Sequence, residues 1–360
     1  MRKLLYRIFL GANILFALSL ILSYLSVHIN PSVCAFPALF GLAYPYLLFI
    51  NVVFAFIWAV IIKWEALISI AVIAGGITHF SNYIKLSKPS GDKTGTFEVQ
   101  SYNVRLFNYF EGKKNSNSEK RILDLLKNSQ ADIICLQEIY IIGDPGAKER
   151  EIKAALGGKY FSHFKVIPTG KNRFYGIATL SRFPMAYRGD IVHEKSSSLS
   201  IYTDLVRGND TIRLFNNHLQ SFHLNRMEKT FLAELTAGSD NKETLYEIRS
   251  ISASLRQGFA RRADQAQNVK ERINRSPYPV IVAGDFNDVP YSYTYAKIRG
   301  DLKDIFQEKG FGFDYTFNES FFRFRIDQVF YDPRIELTAF KMENDQHGSD
   351  HFPLYCKFNY

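Results

Sequence analysis

The first 83 residues hold only five charged side chains, Arg2, Lys3, Arg7, Lys63 and Glu65, in a chain of 360 residues that carries 44 basic and 35 acidic ones. Water does not favour so long an uncharged surface, and its run lengths point to lipid. Residues 8–27 make one run of about the ~20 residues that a helix needs to cross ~30 Å of hydrocarbon. Residues 38–62 make a second, with Pro45 and Asn51 inside it, which a membrane helix tolerates when neighbours satisfy the freed backbone groups. Residues 66–83 make a third and shorter run, interrupted by Gly75 and Gly76. We read residues 1–84 as a membrane segment of two or three transmembrane helices. It is retained rather than cleaved, because the region from Ser26 to Pro37 lacks a small-x-small site and another apolar run follows.

Arg2, Lys3 and Arg7 favour a cytoplasmic N-terminus, and three crossings place the rest of the chain outside the cytoplasm, although Lys85, Lys88 and Lys93 pull the other way. The expected location is therefore the inner (cell) membrane, multi-pass, with an extracytoplasmic soluble domain. Residues 85–96, which contain SKPSGDKTGT, read as a flexible linker, and residues 97–360 as one soluble domain. The composition of the whole chain, 47% apolar and 22% charged, excludes a disordered chain, a collagen and a small disulfide scaffold. Cys34, Cys135 and Cys356 stand far apart in unlike contexts and imply no disulfide framework. The net charge of +9 suits an anionic substrate or lipid headgroups, and equally a solvated surface.

Beyond Phe97, short apolar runs alternate with longer helical patterns. FEVQSYNV, ADIICLQE, GIATLS, LSIYTDLV, TIRLFNNHL, PVIVAGDF, RIDQVFY and PLYCKF are rich in β-branched and aromatic residues and predict strands. Ile133 to Leu136 and Val280 to Ala283 are apolar at every position, as strands buried on both faces should be. Ser116 and Glu119 have the spacing of a capping box ahead of RILDLLKNSQ, whose Ile122, Leu125 and Leu126 form a helical stripe. Mixed α and β structure follows. Several predicted strands end on polar pairs, Tyr102-Asn103, Gln137-Glu138, Asn217-His218 and Asp285-Phe286-Asn287, and such groups at strand ends can converge on one cleft.

SYNVR, LQE, GIATLSRFP, NNHL, GDFND, RIDQVF and GSDH occur in that order, and the order resembles the endonuclease/exonuclease/phosphatase superfamily, the deoxyribonuclease I-like enzymes. The resemblance covers residues 97–360 and none of the membrane segment. It implies an α/β (α+β) four-layer sandwich of two mixed β-sheets flanked by helices, preceded here by N-terminal transmembrane helices. It also implies a magnesium-dependent hydrolase of phosphate esters, with manganese as an alternative ion.

Phosphate-ester hydrolysis needs a cation against the phosphoryl oxygens, a positioned water and a donor for the leaving oxygen. The resemblance assigns Glu138 as metal ligand, with Asp350 as a second metal contact or a water orienter. Asn103 supports the metal site or the phosphate. Asp285 activates water, Asn287 holds the phosphate, and His218 donates to a phosphate oxygen. Asp327 orients His351, which stabilises the phosphoryl oxygens or moves a proton. Gly284 allows close backbone approach beside Asp285. The family's further aromatic and basic phosphate-binding residues have no marked counterpart in this sequence, Tyr175, just before Gly176, being only a candidate for the aromatic; Asp288 reads as a turn residue before Pro290. Alternation in FFRFRID places Phe322, Phe324 and Ile326 on one face, and Arg323, Arg325 and Asp327 on a polar, cationic one. A segment from Phe222 to Pro277 is longer than a strand connection needs; its cations, Arg262 among them, read as a solvated helix face or a lid over substrate.

The expected partners are the membrane, through the N-terminal helices, and a phosphate-ester substrate that includes nucleic acid; no protein partner is expected. A phospholipid or inositol-phosphate phosphoesterase, sphingomyelinase-like, is the alternative. A catalytically silent membrane-tethered binding domain would require loss of a metal ligand or of the histidine pair, and those positions are all filled.

Overall fold

The computed structural model describes residues 1–80, 82–85, 94–115, 117–194, 196–222, 244–313, 315–319, 322–343 and 345–360; of these, the side chains of 78, 79, 111–115, 244–246 and 322 are left aside. The chain forms two compact units. One contains Met1–Ile84, Ser221–Ala266 and Asp288–Ile298; the other contains Lys85–Gln220, Gln267–Asn287 and Arg299–Tyr360. Two stretches from the latter part of the sequence thus group with the N-terminal helices.

In the first unit, helix α1 spans Arg2–Leu25, α2 Phe36–Leu42, α3 Tyr44–Val60 and α4 Ala66–Gly75. The apolar run 38–62 is bent by 71° between α2 and α3, because Pro45 sits in the first turn of α3, where its missing N–H is no loss. The run 66–83 is broken at Gly76 into α4 and a short helix, Ile77–Phe80. A ten-residue helix rises only ~15 Å, about half of a hydrocarbon core. By length and composition α1 can cross a membrane by itself, and α2 with α3 only if the bent pair counts as one span.

The interior of this helical unit is polar at its centre. Asn13 Nδ2 donates to Ser69 Oγ (2.6 Å), Trp58 Nε1 to Asn13 Oδ1 (2.9 Å), and Ser69 Oγ to Asn51 Oδ1 (3.2 Å), all fully buried. Tyr6 donates to Glu65 nearby. The outer faces present Leu15, Leu18, Phe49, Phe56, Val60 and Leu67, all exposed.

The second unit is a sandwich of two six-stranded sheets. Its strands are β1 (Phe97–Asn103), β2 (Ile133–Ile142), β3 (Phe161–Gly170), β4 (Arg173–Ser181), β5 (Met185–Ile191), β6 (Leu199–Arg207), β7 (Asp210–His218), β8 (Val280–Asp285), β9 (Lys303–Asp304), β10 (Phe317–Glu319), β11 (Phe322–Phe324), β12 (Asp327–Tyr331), β13 (Glu336–Met342) and β14 (Leu354–Asn359). One sheet runs β13-β14-β1-β2-β4-β3, the other β9-β12-β8-β7-β6-β5, and β10 pairs with β11 in a small hairpin. All eight strands expected from the sequence form. The unexpected β3, β5 and β13 lie at sheet edges, where residues such as Pro168, Gly170 and Arg188 dilute the apolar signal.

The all-apolar runs serve two cores at once. Ile133 and Cys135 face the core between the sheets, with Val99, Leu214, Ile281, Ala283 and Val329. Ile134 and Leu136 face the opposite side, against Ile122 and Leu126 of the helix Ser118–Asn128 and Ile152 of the helix Pro145–Ala155. Helix Ser118–Asn128 has Asn117 at its N-cap with no side-chain cap bond; Ser116 of the expected capping box lies outside the described residues. Glu119 is instead paired with Lys148 (2.5 Å).

Each sheet has one parallel pair at its centre, and this positions the site. β1 and β2 run parallel with Asn103 opposite Gln137, and β7 and β8 run parallel with His218 opposite Asp285. β1, β7 and β8 end at this rim on Asn103, His218 and Asp285, whereas β2, expected to end at Gln137-Glu138, passes the rim at a register shift and continues to Ile142, paired with β4. The antiparallel β12 begins there, with Asp327 opposite Asp285.

The expected FFRFRID alternation does not hold. The segment breaks between β11 and β12, and Arg325 turns inward, buried, to pair with Asp304 (3.0 Å) beneath the Phe306 ring. Burial without a carboxylate partner would be prohibitive for a guanidinium, so Arg325 is a structural ion pair and no anion-facing group.

Candidate active site

Close packing of backbone against backbone builds the floor of the site. Gly284 has φ +128°, and a Cβ there would lie 2.0 Å from the carbonyl oxygen of Asn217 on the neighbouring parallel strand. Only glycine fits, and the two strands therefore bring His218 and Asp285 side by side. Below them Gln137 Nε2 donates to Asn216 Oδ1 (2.7 Å), joining the two sheets one residue before Glu138. Glu138 sits at a register shift within β2 with φ +56°, and Asn287 has φ +51°. Left-handed backbone at non-glycine residues costs about 1 kcal/mol or more and gathers at functional sites.

The eight side chains expected from the sequence form one connected cluster. Asn103 Nδ2 donates to Asp285 Oδ2 (2.9 Å), and the Asn287 backbone N–H donates to Asp285 Oδ1 (2.7 Å). His218 Nε2 lies 3.1 Å from Glu138 Oε1 and 3.7 Å from Asp285 Oδ2. His351 Nδ1 donates to Asp327 Oδ2 (2.8 Å), while its Nε2 lies 3.8 Å from Asp285 Oδ2 and 3.7 Å from Asp350 Oδ1. His218 Nε2 is also 3.2 Å from Asn287 Nδ2. A nitrogen cannot accept from the amide and donate to the carboxylate at once, and an ionised Glu138 takes the proton.

Electrostatics separate the acids. Burial alone would raise Glu138, but hydrogen bonding and charge from His218, then the charge of His351, hold it down to about 2. Burial, followed by the charge of Asp327, pushes Asp285 up to about 6 against the pull of both histidines. Burial lowers His351, yet Asp327 and Asp285 outweigh it and hold the ring up at about 10. His218 is also raised, its burial outweighed by Glu138 and Asp285. Environments that drive titratable groups apart in this way suit acid–base work.

Among the described residues two donor groups could hold a cation, Glu138/His218/Asp285 and Asp285/Asp327/His351, the candidate atoms in each lying within 4.8 Å of one another. The first fits better, because an ion in the second would compete for the Asp327–His351 hydrogen bond. Carboxylate oxygens are the hard ligands that magnesium or manganese takes. Among the described residues Asp350 Oδ1 has no hydrogen-bond partner and is buried at the edge of this cluster, as an oxygen suited to a cation or its water would be.

Three contributors were weakly marked or unmarked in the sequence. Tyr175 Oη lies 2.5 Å from His218 Nδ1, which gives that tyrosine a hold on the ring. Arg105, the last residue of SYNVR, pairs with Asp350 Oδ2 (3.1 Å) and with Glu319 (2.9 Å). It opens a run of four left-handed residues, Arg105, Leu106, Phe107 and Asn108. Ser349 Oγ donates to the Asn103 carbonyl (2.7 Å) and receives the His351 N–H (3.1 Å), tying GSDH to SYNVR. Motif order hinted at the last two, because each contributor sits inside a quoted motif.

Residues 101–351 match the Endonuclease/Exonuclease/phosphatase family. The chain belongs to that family, whose enzymes hydrolyse phosphoester bonds. Solved structures of this family's fold agree. The catalytic domain of human Nocturnin with bound sulfate matches at 19% identity and a TM-score of 0.53, over 74% of this chain and 96% of that one. A mannosyl-6-phosphatase of Bacteroides thetaiotaomicron matches at 18% identity and a TM-score of 0.52, over 74% of this chain and 100% of that one. Humanised TDP2 of D. rerio matches at 18% identity and a TM-score of 0.51, over 73% and 99%. Residues 6–83 match a family described as a domain of unknown function, DUF8431. No curated protein is similar enough in sequence to match.

Proposed function

We propose that this member of the family is a membrane-anchored, divalent-cation-dependent phosphoesterase that acts on a phosphodiester or phosphomonoester by in-line attack of water, nuclease-like in its chemistry. The observation that carries the reading is the Asp327–His351 pair at 2.8 Å, with the free nitrogen of His351 aimed at Asp285. A fixed, protonated imidazole beside a carboxylate of intermediate acidity is what a reaction needs when one group must donate to oxygen and another must take a proton from water.

Glu138, with Asp285, would hold a magnesium or manganese ion, and Asp350 would contact it or its water. Such an ion supplies Lewis-acid stabilisation of the phosphoryl oxygens. Asn103 Nδ2 fixes the Asp285 carboxylate, so its other oxygen can orient and deprotonate the attacking water. Asn287 and His218 donate to the phosphate oxygens. Asp327 keeps His351 protonated on both ring nitrogens and oriented so that Nε2–H can meet the charge that develops on phosphorus-bound oxygen.

Membrane anchoring is supported by the helical unit: polar groups are paired inside while large apolar side chains face outward, the inverse of a water-soluble bundle. With Arg2, Lys3 and Arg7 cytoplasmic, α1 would deliver the catalytic unit to the extracytoplasmic side of the cell membrane. The exposed apolar faces also favour a second substrate class, a phospholipid or inositol-phosphate headgroup, because a site held near the bilayer needs little reach.

The test is hydrolysis of bis(p-nitrophenyl) phosphate by the full-length protein in detergent, with magnesium, manganese or chelator. It is followed by a panel of single- and double-stranded DNA, RNA, sphingomyelin and inositol phosphates. Cation-dependent turnover supports the reading, and the panel assigns the substrate. Absence of cation-dependent turnover on every member would end it.

A further inference from the structure

Thr316 lies outside every motif in the sequence, yet it joins the chain segments that carry Asp327 and His351. It is 2% exposed, just ahead of β10, and each of its polar atoms is bonded. Its N–H donates to the Phe324 carbonyl (2.9 Å), and its carbonyl accepts from the Phe352 N–H (2.8 Å). Its Oγ1 accepts from the N–H groups of Ile326 (3.0 Å) and Asp327 (2.9 Å), which uses both lone pairs of the hydroxyl oxygen. The chain breaks between β11 and β12, and β9 pairs with Phe330 and Tyr331, at the other end of β12 from Asp327. Two consecutive buried donors at the start of β12 thus meet a side-chain oxygen in place of a neighbouring strand, and buried N–H groups require such a partner.

The next two residues run antiparallel to the segment of the histidine. Phe317 stands opposite His351 in an isolated bridge, its ring edge-on to the imidazole with centroids 5.1 Å apart and planes at 62°. The Asn318 N–H donates to the Asp350 carbonyl (2.9 Å). Residues 316–318 therefore hold the backbone on both sides of His351, at Asp350 and at Phe352, while the Thr316 hydroxyl holds the backbone of Asp327. All of these residues lie in the catalytic unit.

We infer that Thr316 is a positioning residue for the reaction: its hydroxyl, on a segment bonded to both neighbours of His351, sets the line along which the Asp327 carboxylate meets the ring. The inference rests on the role proposed above for the Asp327–His351 pair. A 2.8 Å bond between side chains on separate segments has its geometry fixed by where the two backbones stand. Misplacement of reacting groups by about 1 Å can cost on the order of a hundredfold in rate. Branching at Cβ restricts rotation about χ1, so threonine keeps its oxygen directed at the two N–H groups.

The experiment uses the full-length chain in detergent. Thr316→Val keeps the shape and removes the acceptor, Thr316→Ser keeps the acceptor, and Thr316→Val is also placed in an Asp327→Asn background. Two readouts are taken: hydrogen–deuterium exchange of amides 326 and 327, and kcat with KM on bis(p-nitrophenyl) phosphate. Thr316→Val is expected to speed that exchange at least tenfold and to lower kcat about tenfold, with KM within twofold. Thr316→Ser should stay within twofold of the wild type on both readouts. In the Asp327→Asn background the valine should lower kcat by less than twofold, because the pair through which Thr316 acts is already lost. An equal loss of kcat in both backgrounds would mark a general packing defect and overturn the inference, as would unchanged exchange or an unaltered kcat in Thr316→Val. Thr316→Ala, which leaves room for a water at the freed N–H groups, takes the place of the valine if that variant does not fold, and the same comparisons decide. Faster exchange in Thr316→Val of a protein whose wild type hydrolyses nothing would leave the tie standing and remove the proposed activity instead.

Discussion

Asp327, the first residue of β12, and His351, in the segment just before β14, are 24 residues apart in sequence and meet through a 2.8 Å hydrogen bond in a buried site. The carboxylate both orients the ring and keeps it protonated. Asp327→Asn preserves the shape but offers Nδ1 an amide in place of a charge. We expect kcat to fall by about a hundred- to ten-thousandfold, in the range of a lost general acid or base, with the thermal midpoint nearly unchanged. An Asp327→Asn protein that turns over at the wild-type rate would remove the pair from the mechanism.

Glu138 is held ionised by His218 and His351, ready to meet a cation without first losing a proton. Glu138→Gln keeps the volume and removes the charge. The magnesium concentration for half-maximal activity should rise by more than about tenfold, given that even residues supporting a metal ligand are worth 10–100-fold in affinity. Titration of both proteins with magnesium and manganese measures this, and overlapping curves would exclude Glu138 as a ligand.

Gly284 admits no side chain, since the Asn217 carbonyl lies 2.0 Å from where a Cβ would stand. Gly284→Ala must push β7 and β8 apart or abandon φ +128°, at about 2–4 kcal/mol for strain and overpacking combined. The variant should melt several degrees lower and lose activity together with stability. A midpoint equal to the wild type would show that the two strands are not so closely apposed.

His193, away from the site, is buried; Nε2 meets Ser200 Oγ at 2.9 Å while Nδ1 has no partner among the described residues. Burial pushes its pKa down to about 4. The unfolded chain takes up that proton near pH 6.5 and the folded one resists until about pH 4, so stability is lost as pH falls between those values. The loss reaches at most about 3 kcal/mol, from roughly 1.4 kcal/mol per pH unit of separation. His193→Gln should flatten that part of the stability profile between pH 7 and 4.5. Parallel profiles for the two proteins would refute the assignment.

Much of the catalytic unit was legible before folding was considered. Runs such as Ile133 to Leu136 must bury both faces, and they do so against two separate cores. The polar residues closing three of the strands, Asn103, His218 and Asp285, were equally readable, whereas Glu138 projects from an irregularity inside β2, which continues to Ile142. Arg325 shows the limit: strict alternation assigned it to an open cationic face, but the chain breaks between β11 and β12 and the side chain finds Asp304. A periodicity rule assumes a continuous strand, and continuity is a tertiary property.

Sequence by itself determined the uncharged N-terminal stretch, the strand pattern and the motif order from Asn103 to His351, all of which are written in local composition and spacing. Tertiary structure alone decided that Asp288 and Tyr291 belong with the helices, that Pro45 and Gly76 break the apolar runs into unequal pieces, and that Tyr175 and Arg105 attend the site. Those outcomes depend on pairings between residues tens to hundreds of positions apart. Such pairings are chosen by burial, charge compensation and backbone clearance in three dimensions, none of which leaves a periodic mark along the chain.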